Sequence, residues 1–124
     1  MSRFVRPQTT TLTLANGDQL IVRERLTAGE QRAYSARMYV QTGQGRQFDP
    51  FLAGVGAVLA YLLDWNLRDD QGQAVVIRDL SADDLQHVID SLDVESFNEI
   101  RAAIDAHQQA MQEKKTPPDG GTPS

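Results

Sequence analysis

Apolar residues are concentrated in one stretch of the chain. Between Phe51 and Leu63 there is no charged residue, and Phe51, Leu52, Val55, Val58, Leu59, Leu62 and Leu63 recur at helical spacing with further apolar residues between them. The pattern predicts a helix buried around most of its circumference. Asp49 is placed to cap its first turn, and Pro50 stands where a missing N–H does no harm. Each large apolar side chain withdrawn from water contributes roughly 1.5–3 kcal/mol, so this stretch outweighs any other and the remaining elements are expected to cover it.

Upstream, residues 1–10 hold two arginines, a proline and a Gln/Thr run with little to bury, which predicts a flexible arm. Thr11 to Leu14 then alternates, Asn16-Gly17-Asp18 is a turn signal, and Gln19 to Glu24 is rich in β-formers. A hairpin results, with Leu12, Leu14, Leu20 and Val22 on its apolar face. Such a hairpin is marginal alone and needs the central helix as partner. Thr27 and Glu30 match a capping box, predicting a partly exposed helix from Ala28 to about Gln41 whose apolar residues are Ala33, Tyr34, Ala36, Met38, Tyr39 and Val40. Thr42 to Arg46 reads as a loop. Gly54 and Gly56 lie inside the central helix, where each glycine costs about 0.8–1.0 kcal/mol relative to alanine. Close approach by another backbone, the hairpin's or a second subunit's, would explain them.

Downstream, Asp70-Gln71-Gly72 is a turn between Trp65-Asn66-Leu67 and Ala74 to Ile77, which together suggest a short second hairpin or an extended loop. Trp65 is the sole tryptophan; closing the core with its indole N–H at the surface is the favoured role, and anchoring a partner is the alternative. Ser81 caps a helix striped by Leu85, Val88, Ile89 and Leu92, with Asp83 and Asp84 at its positive end. Asp93 recaps, and Val94, Phe97, Ile100, Ile104 and Met111, with His107, mark one face of a last helix from about Val94 to Gln112. From Glu113 onward the composition predicts a disordered tail, residues 113–124. The expected architecture is α+β and mainly α: an N-terminal hairpin packed on a bundle of about four helices, in one globular domain over residues 11–112.

Charge changes the picture more than composition does. The net charge of −5 combines seven arginines against four acids up to Pro50 with five basic residues against thirteen acids after it. The acidic larger part disfavours nucleic acid as a partner, whereas opposite halves suit association between copies or with another protein. Ordinary solvated surface is the plainer reading. With no cysteine, disulfides, thiolate zinc sites and thiol nucleophiles are excluded. The apolar run is short of the roughly 20 residues that cross a bilayer, and the first residues lack a signal-peptide core, so a membrane role is not expected.

Candidate chemistry is sparse. His87 shares a helix face with Asp83 and Asp90, which could in principle hold a metal, but a solvated acidic face is the preferred reading because no second cluster completes the sphere. His107 does not face Asp105 at helical spacing and is read as an interface or boundary residue. Asp69/Asp70 and Asp83/Asp84 look like turn and cap residues. Gly43 and Gly45 lack the spacing and preceding strand of a nucleotide fingerprint. No mechanistic motif points to an enzyme, and no cofactor is expected.

Several segments taken in order carry a resemblance: Leu26 to Glu30 opening the first helix, Tyr61-Leu62-Leu63-Asp64-Trp65, Asp69-Asp70-Gln71-Gly72, Leu92 to Ile100 with Ala103 to His107, and Glu113-Lys114-Lys115. Across most of residues 11–116 the chain resembles the tail assembly chaperones of long-tailed, siphovirus-type bacteriophages. The resemblance implies a protein of the host cytoplasm that binds the tape measure protein, keeps it soluble and helps the tail tube protein polymerise around it. It also implies a longer form made by ribosomal frameshifting near Lys114 and Lys115. A holdase needs an exposed apolar groove and several copies to present it. Trp65, Phe97, Ile100, Ile104, His107 and Met111 are the candidate partner-binding residues, the last-helix stripe dividing between core and a surface for self-association or client binding. A structural tail component, such as a completion or connector protein, and a non-viral interaction module remain the competing classes.

Overall fold

The computed structural model describes residues 3–115. Its elements run β1 (Thr9–Thr13), β2 (Gln19–Arg23), α1 (Ala28–Arg37), β3 (Tyr39–Thr42), β4 (Gly45–Phe48), α2 (Pro50–Tyr61), β5 (Leu62–Trp65), α3 (Ala82–Asp90) and α4 (Val94–Lys115). At 46% helix against 22% strand, the fold is α+β with helix in the majority, and it opens on the expected hairpin.

β1 and β2 pair antiparallel from Thr9↔Arg23 to Thr13↔Gln19, around a turn in which Gly17 takes φ 93° and Asn16 Oδ1 accepts from the Asp18 N–H at 3.0 Å. β5 joins the other side of β2 through Leu20↔Trp65 and Val22↔Leu62, with a bulge between, giving the antiparallel order β1-β2-β5. Leu20, Val22, Leu62 and Trp65 point into the core, where they meet α2, Ile77, Leu85 and Ile89 from the α3 region, and Ile100 and Ile104 of α4. Thr9, Thr11 and Thr13 face water.

α2 is the centre. Asp49 Oδ1 accepts from the Phe51 and Leu52 N–H groups at 2.9 and 3.3 Å, Pro50 occupies the first turn, and every residue from Gly54 to Tyr61 is buried. The helix stops two residues earlier than its apolar run suggests. Leu62 turns to extended backbone while still donating its N–H to Val58 O, and Leu62 and Leu63 belong to β5. A fully apolar run has no periodicity to separate a buried helix from a buried strand, which is why the boundary was invisible.

The first helix is likewise shorter than predicted. Its capping box forms as expected, Thr27 Oγ1 accepting from the Glu30 N–H at 3.1 Å and Glu30 Oε1 from the Thr27 N–H at 2.9 Å. It ends at Arg37, however, and the residues expected to continue it and form a loop make a second hairpin instead, β3 to β4, with register Tyr39↔Phe48 to Thr42↔Gly45. Gly45 has φ 105°, and the Thr42 hydroxyl donates to Gly45 O at 2.8 Å while accepting from the Gln44 N–H at 3.1 Å. The turn chemistry of Thr42-Gly43-Gln44-Gly45 overrides the weak helical pattern around Tyr39 and Val40.

Three other expectations change. The strand begins at Thr9, inside the segment read as an arm, and Gln8 O accepts from the Glu24 N–H at 2.9 Å. α4 continues three residues past Gln112, through Glu113, Lys114 and Lys115; the rest of the expected tail lies outside the described residues. The close neighbours of the α2 glycines are side chains of other helices, not a backbone. A Cβ on Gly54 would lie 2.7 Å from Arg101 Nε of α4, and one on Gly56 would lie 3.2 Å from the Tyr34 ring and 3.3 Å from Arg37 Cβ of α1. The segment after β5 is the extended loop foreseen as one option, held by an isolated Arg68↔Ala74 bridge and by the Val75 N–H donating to Leu67 O at 3.1 Å.

Candidate functional site

α4 is tied to the first sheet at two levels, and this fixes where its outer face lies. Glu99 Oε2 accepts from the Ala15 N–H at 2.9 Å. Two turns further on, His107 is buried with Nε2 at 3.1 Å from both Arg23 O and Glu24 O, and its ring meets Tyr61 edge-on at 5.9 Å. Both partners are carbonyls, so Nε2 carries the proton. Arg23 completes the joint: Nε pairs with Glu30 Oε2 at 3.0 Å and Nη1 donates to Ala60 O at 2.7 Å, linking β2, the start of α1 and the end of α2.

Between α1 and α4, over this joint, runs an open groove of about 890 Å³. Tyr61, the buried member of the lining, lies at its floor; Leu26 and Tyr34 come from the α1 side, Ala102, Ala106 and Met111 from α4, and Val5 also contributes. Gln31, Gln108, Gln109 and Gln112 line the rim, with Glu24, Arg25 and Asp105 the charged groups. Burial raises the Tyr61 phenol, opposed by a hydrogen bond with the Gln108 side chain and helped by Tyr34, so it stays neutral and able to donate at physiological pH. Amide donors and acceptors around a half-apolar trough can hold a peptide segment by contact and hydrogen bonding. Among the described residues, no group of three or more His, Cys, Asp or Glu side chains comes together as a metal site, and His87, Asp83 and Asp90 are all exposed.

The predicted partner-binding residues separate. Trp65, Ile100 and Ile104 are core residues; the Trp65 indole N–H donates to Val75 O at 2.7 Å and so faces protein, where the sequence reading put it at the surface. Ile104 is completely buried, so a polar substitution there would probe folding and not client capture, contrary to expectation. His107 is an internal joint. Met111 reaches the groove, and Phe97 is half-buried at a different place, 6.4 Å from the Phe51 ring at the mouth of a smaller apolar pocket. Phe51, predicted to be buried, is 67% exposed; it sits on the first turn of α2, at the mouth of that smaller pocket. Lys114 and Lys115 are the last two residues of α4.

Sequence reasoning missed Leu26, Tyr34 and the four glutamines. Their signal, apolar or amide residues at the edges of helical stripes, exists only once α1 and α4 are known to face each other. Among the described residues no helix is long and apolar enough to cross a membrane. Comparison of the chain with protein-family models, curated proteins and solved structures finds no match.

Proposed function

We propose that the chain is a non-catalytic holdase that takes an amphipathic helical segment of a client into the groove between α1 and α4, and that it serves as a tail assembly chaperone for the tape measure protein of a long-tailed bacteriophage. The observation that supports binding over catalysis is the groove itself: open, floored by Tyr61, lined by glutamines and reaching Met111. A helix about 10 Å wide lies in such a trough with its apolar face on Leu26, Tyr34 and Met111 and its flanks on the amides. The phage assignment rests on the sequence resemblance. A frameshift near Lys114 and Lys115 would append its extension after the last turn of α4. A slippery heptamer at these codons with an overlapping downstream frame supports this part, and its absence removes it.

The test is co-expression with the product of the long coiled-coil reading frame expected immediately downstream. The client should become soluble and co-purify, and Met111→Asp or Tyr34→Ala should abolish this while the chaperone keeps its far-UV circular dichroism. Capture that survives both substitutions refutes the groove. Detection of the chain by mass spectrometry in finished particles would mark it as a tail component instead.

A further inference from the structure

Among the described residues, two of the exposed apolar surfaces outside the groove bring aromatic rings together. One is the β3–β4 hairpin, where Tyr39, Val40 and Phe48 (54% exposed) stand in water, the two rings edge-on at 6.0 Å and the Arg46 guanidinium 4.9 Å over the Tyr39 ring. The other is the pocket of about 170 Å³ lined by Phe51, Val55, Ile89, Leu92, Val94 and Phe97, with Val94 74% exposed and Asp90 on its edge.

Their charges are opposite. The hairpin, residues 39–48, carries Arg46 and no acid, whereas Asp90 is the charged residue lining the pocket, and residues 79–100 around it contain seven acids and neither lysine nor arginine. They are also neighbours. β4 passes into α2 through Asp49 alone, whose N–H donates to Met38 O at 2.8 Å, so Phe48 at the hairpin base and Phe51 at the pocket mouth flank the same short joint.

We infer that the β3–β4 hairpin is a dimerisation arm that docks on the Phe51–Phe97 pocket of a second copy of the chain, reciprocally about a two-fold axis. An apolar, aromatic edge bearing Arg46 beside an apolar pocket bearing Asp90 is self-complementary only when one copy is turned over against another. A two-fold axis beside Asp49 then lays each hairpin across its partner's pocket, with Arg46 near Asp90, and makes both contacts at once. Such an isologous contact closes at two copies, and opposite charges fix its register. The groove between α1 and α4 takes no part, so this inference stands or falls independently of the client reading.

Light scattering of the full-length chain across a concentration series tests it. The expected mass rises from 13.7 kDa to twice that value and then stops. Raising salt toward 1 M, where the screening length falls to about 3 Å, should shift the midpoint to higher protein concentration. Phe48→Ser and Phe51→Ser should each weaken the dimer about tenfold or more, since truncation of a central aromatic anchor commonly does so. Arg46→Glu should weaken it as well, and Asp90→Arg added to Arg46→Glu should restore it. All four side chains are exposed, so circular dichroism should stay unchanged. A chain that remains monomeric, that grows past two copies, or that dimerises undiminished in Phe48→Ser and Arg46→Glu overturns the proposal.

Discussion

Gly54 and Gly56 occupy the same helix two positions apart, yet alanine should stabilise at the first and not at the second. In a helix interior Gly→Ala is worth about 0.8–1.0 kcal/mol in the helix's favour, before any contact is considered. At Gly54 the new methyl group would lie 2.7 Å from Arg101 Nε and 2.8 Å from Cδ, so the arginine must withdraw. It loses little by doing so: Nε is buried without a hydrogen-bond partner, its approach to Asp105 is long at 3.8 Å, and the side chain is already 43% exposed. Gly54→Ala is therefore expected to stabilise by about 0.5–1 kcal/mol, which for a chain of this size is a rise of about 2–5 °C in Tm. At Gly56 the obstacles are the Tyr34 ring at 3.2 Å and Arg37 Cβ at 3.3 Å. A Cβ moves only with its backbone, so α1 must shift away from α2 and the floor of the groove opens. Overpacking of this kind costs roughly 1–3 kcal/mol, and Gly56→Ala should come out neutral to destabilised by about 2 kcal/mol. Urea denaturation of the two variants, and of Gly54→Ala combined with Arg101→Ala, gives the comparison. In the double variant the obstacle is gone and the full propensity gain should appear relative to Arg101→Ala alone. Destabilisation by Gly54→Ala of more than about 1 kcal/mol, or equal effects at both glycines, would refute the reasoning.

Ile104→Ala should cost about 2–5 kcal/mol in chemical denaturation, as for other completely buried aliphatic side chains, whereas Met111→Ala, half in the groove, should cost less than half as much. Trp65→Phe removes the N–H that Val75 O accepts and should destabilise by about 1–3 kcal/mol; the loop from Asn66 to Val75 should gain protease sensitivity in the same variant. Acid should weaken the fold through two aspartates. Hydrogen bonding from Arg78 holds Asp64 below the usual carboxylate value, and the Ser96 backbone N–H and hydroxyl do the same for Asp93. Both carboxylates bind protons more weakly when folded, so their stabilisation is complete above the unfolded value of about 3.9 and is lost as pH falls through the lower folded values. Equilibrium denaturation between neutral pH and pH about 3 checks this, and Asp64→Asn should flatten the dependence.

What could be read from the sequence was local. The capping box at Thr27 and Glu30, the Asp49-Pro50 start of α2, the Ser81 cap and the Asn16-Gly17 turn each satisfy backbone groups within a few residues, so their signatures need no knowledge of the fold. Tyr39 to Phe48 failed for the opposite reason. Tyr39 and Val40 extend a helical stripe on paper, and only the pairing of Val40 with Gln47 and of Thr42 with Gly45 makes the strand preferable. Leu62 and Leu63 carried no information about which of two buried elements they join. The groove was less legible still, because Tyr34 and Gln108 become neighbours of Tyr61 only through the joint made by Arg23, Glu30 and His107, which spans most of the chain.

The passage of α2 into β5 without a connecting loop has a mechanical consequence. Leu62 donates its N–H to Val58 O as the end of the helix and stands opposite Val22 as a rung of the sheet, so one residue belongs to both layers. There is no hinge at that point. Peeling β5 from β2 unwinds the last turn of α2, and fraying α2 loosens the sheet edge, so the two should exchange their amide hydrogens as a single cooperative unit. Tyr61 precedes this shared residue, so anything pressing on the Tyr61 side of the groove bears on the helix end and the sheet edge together.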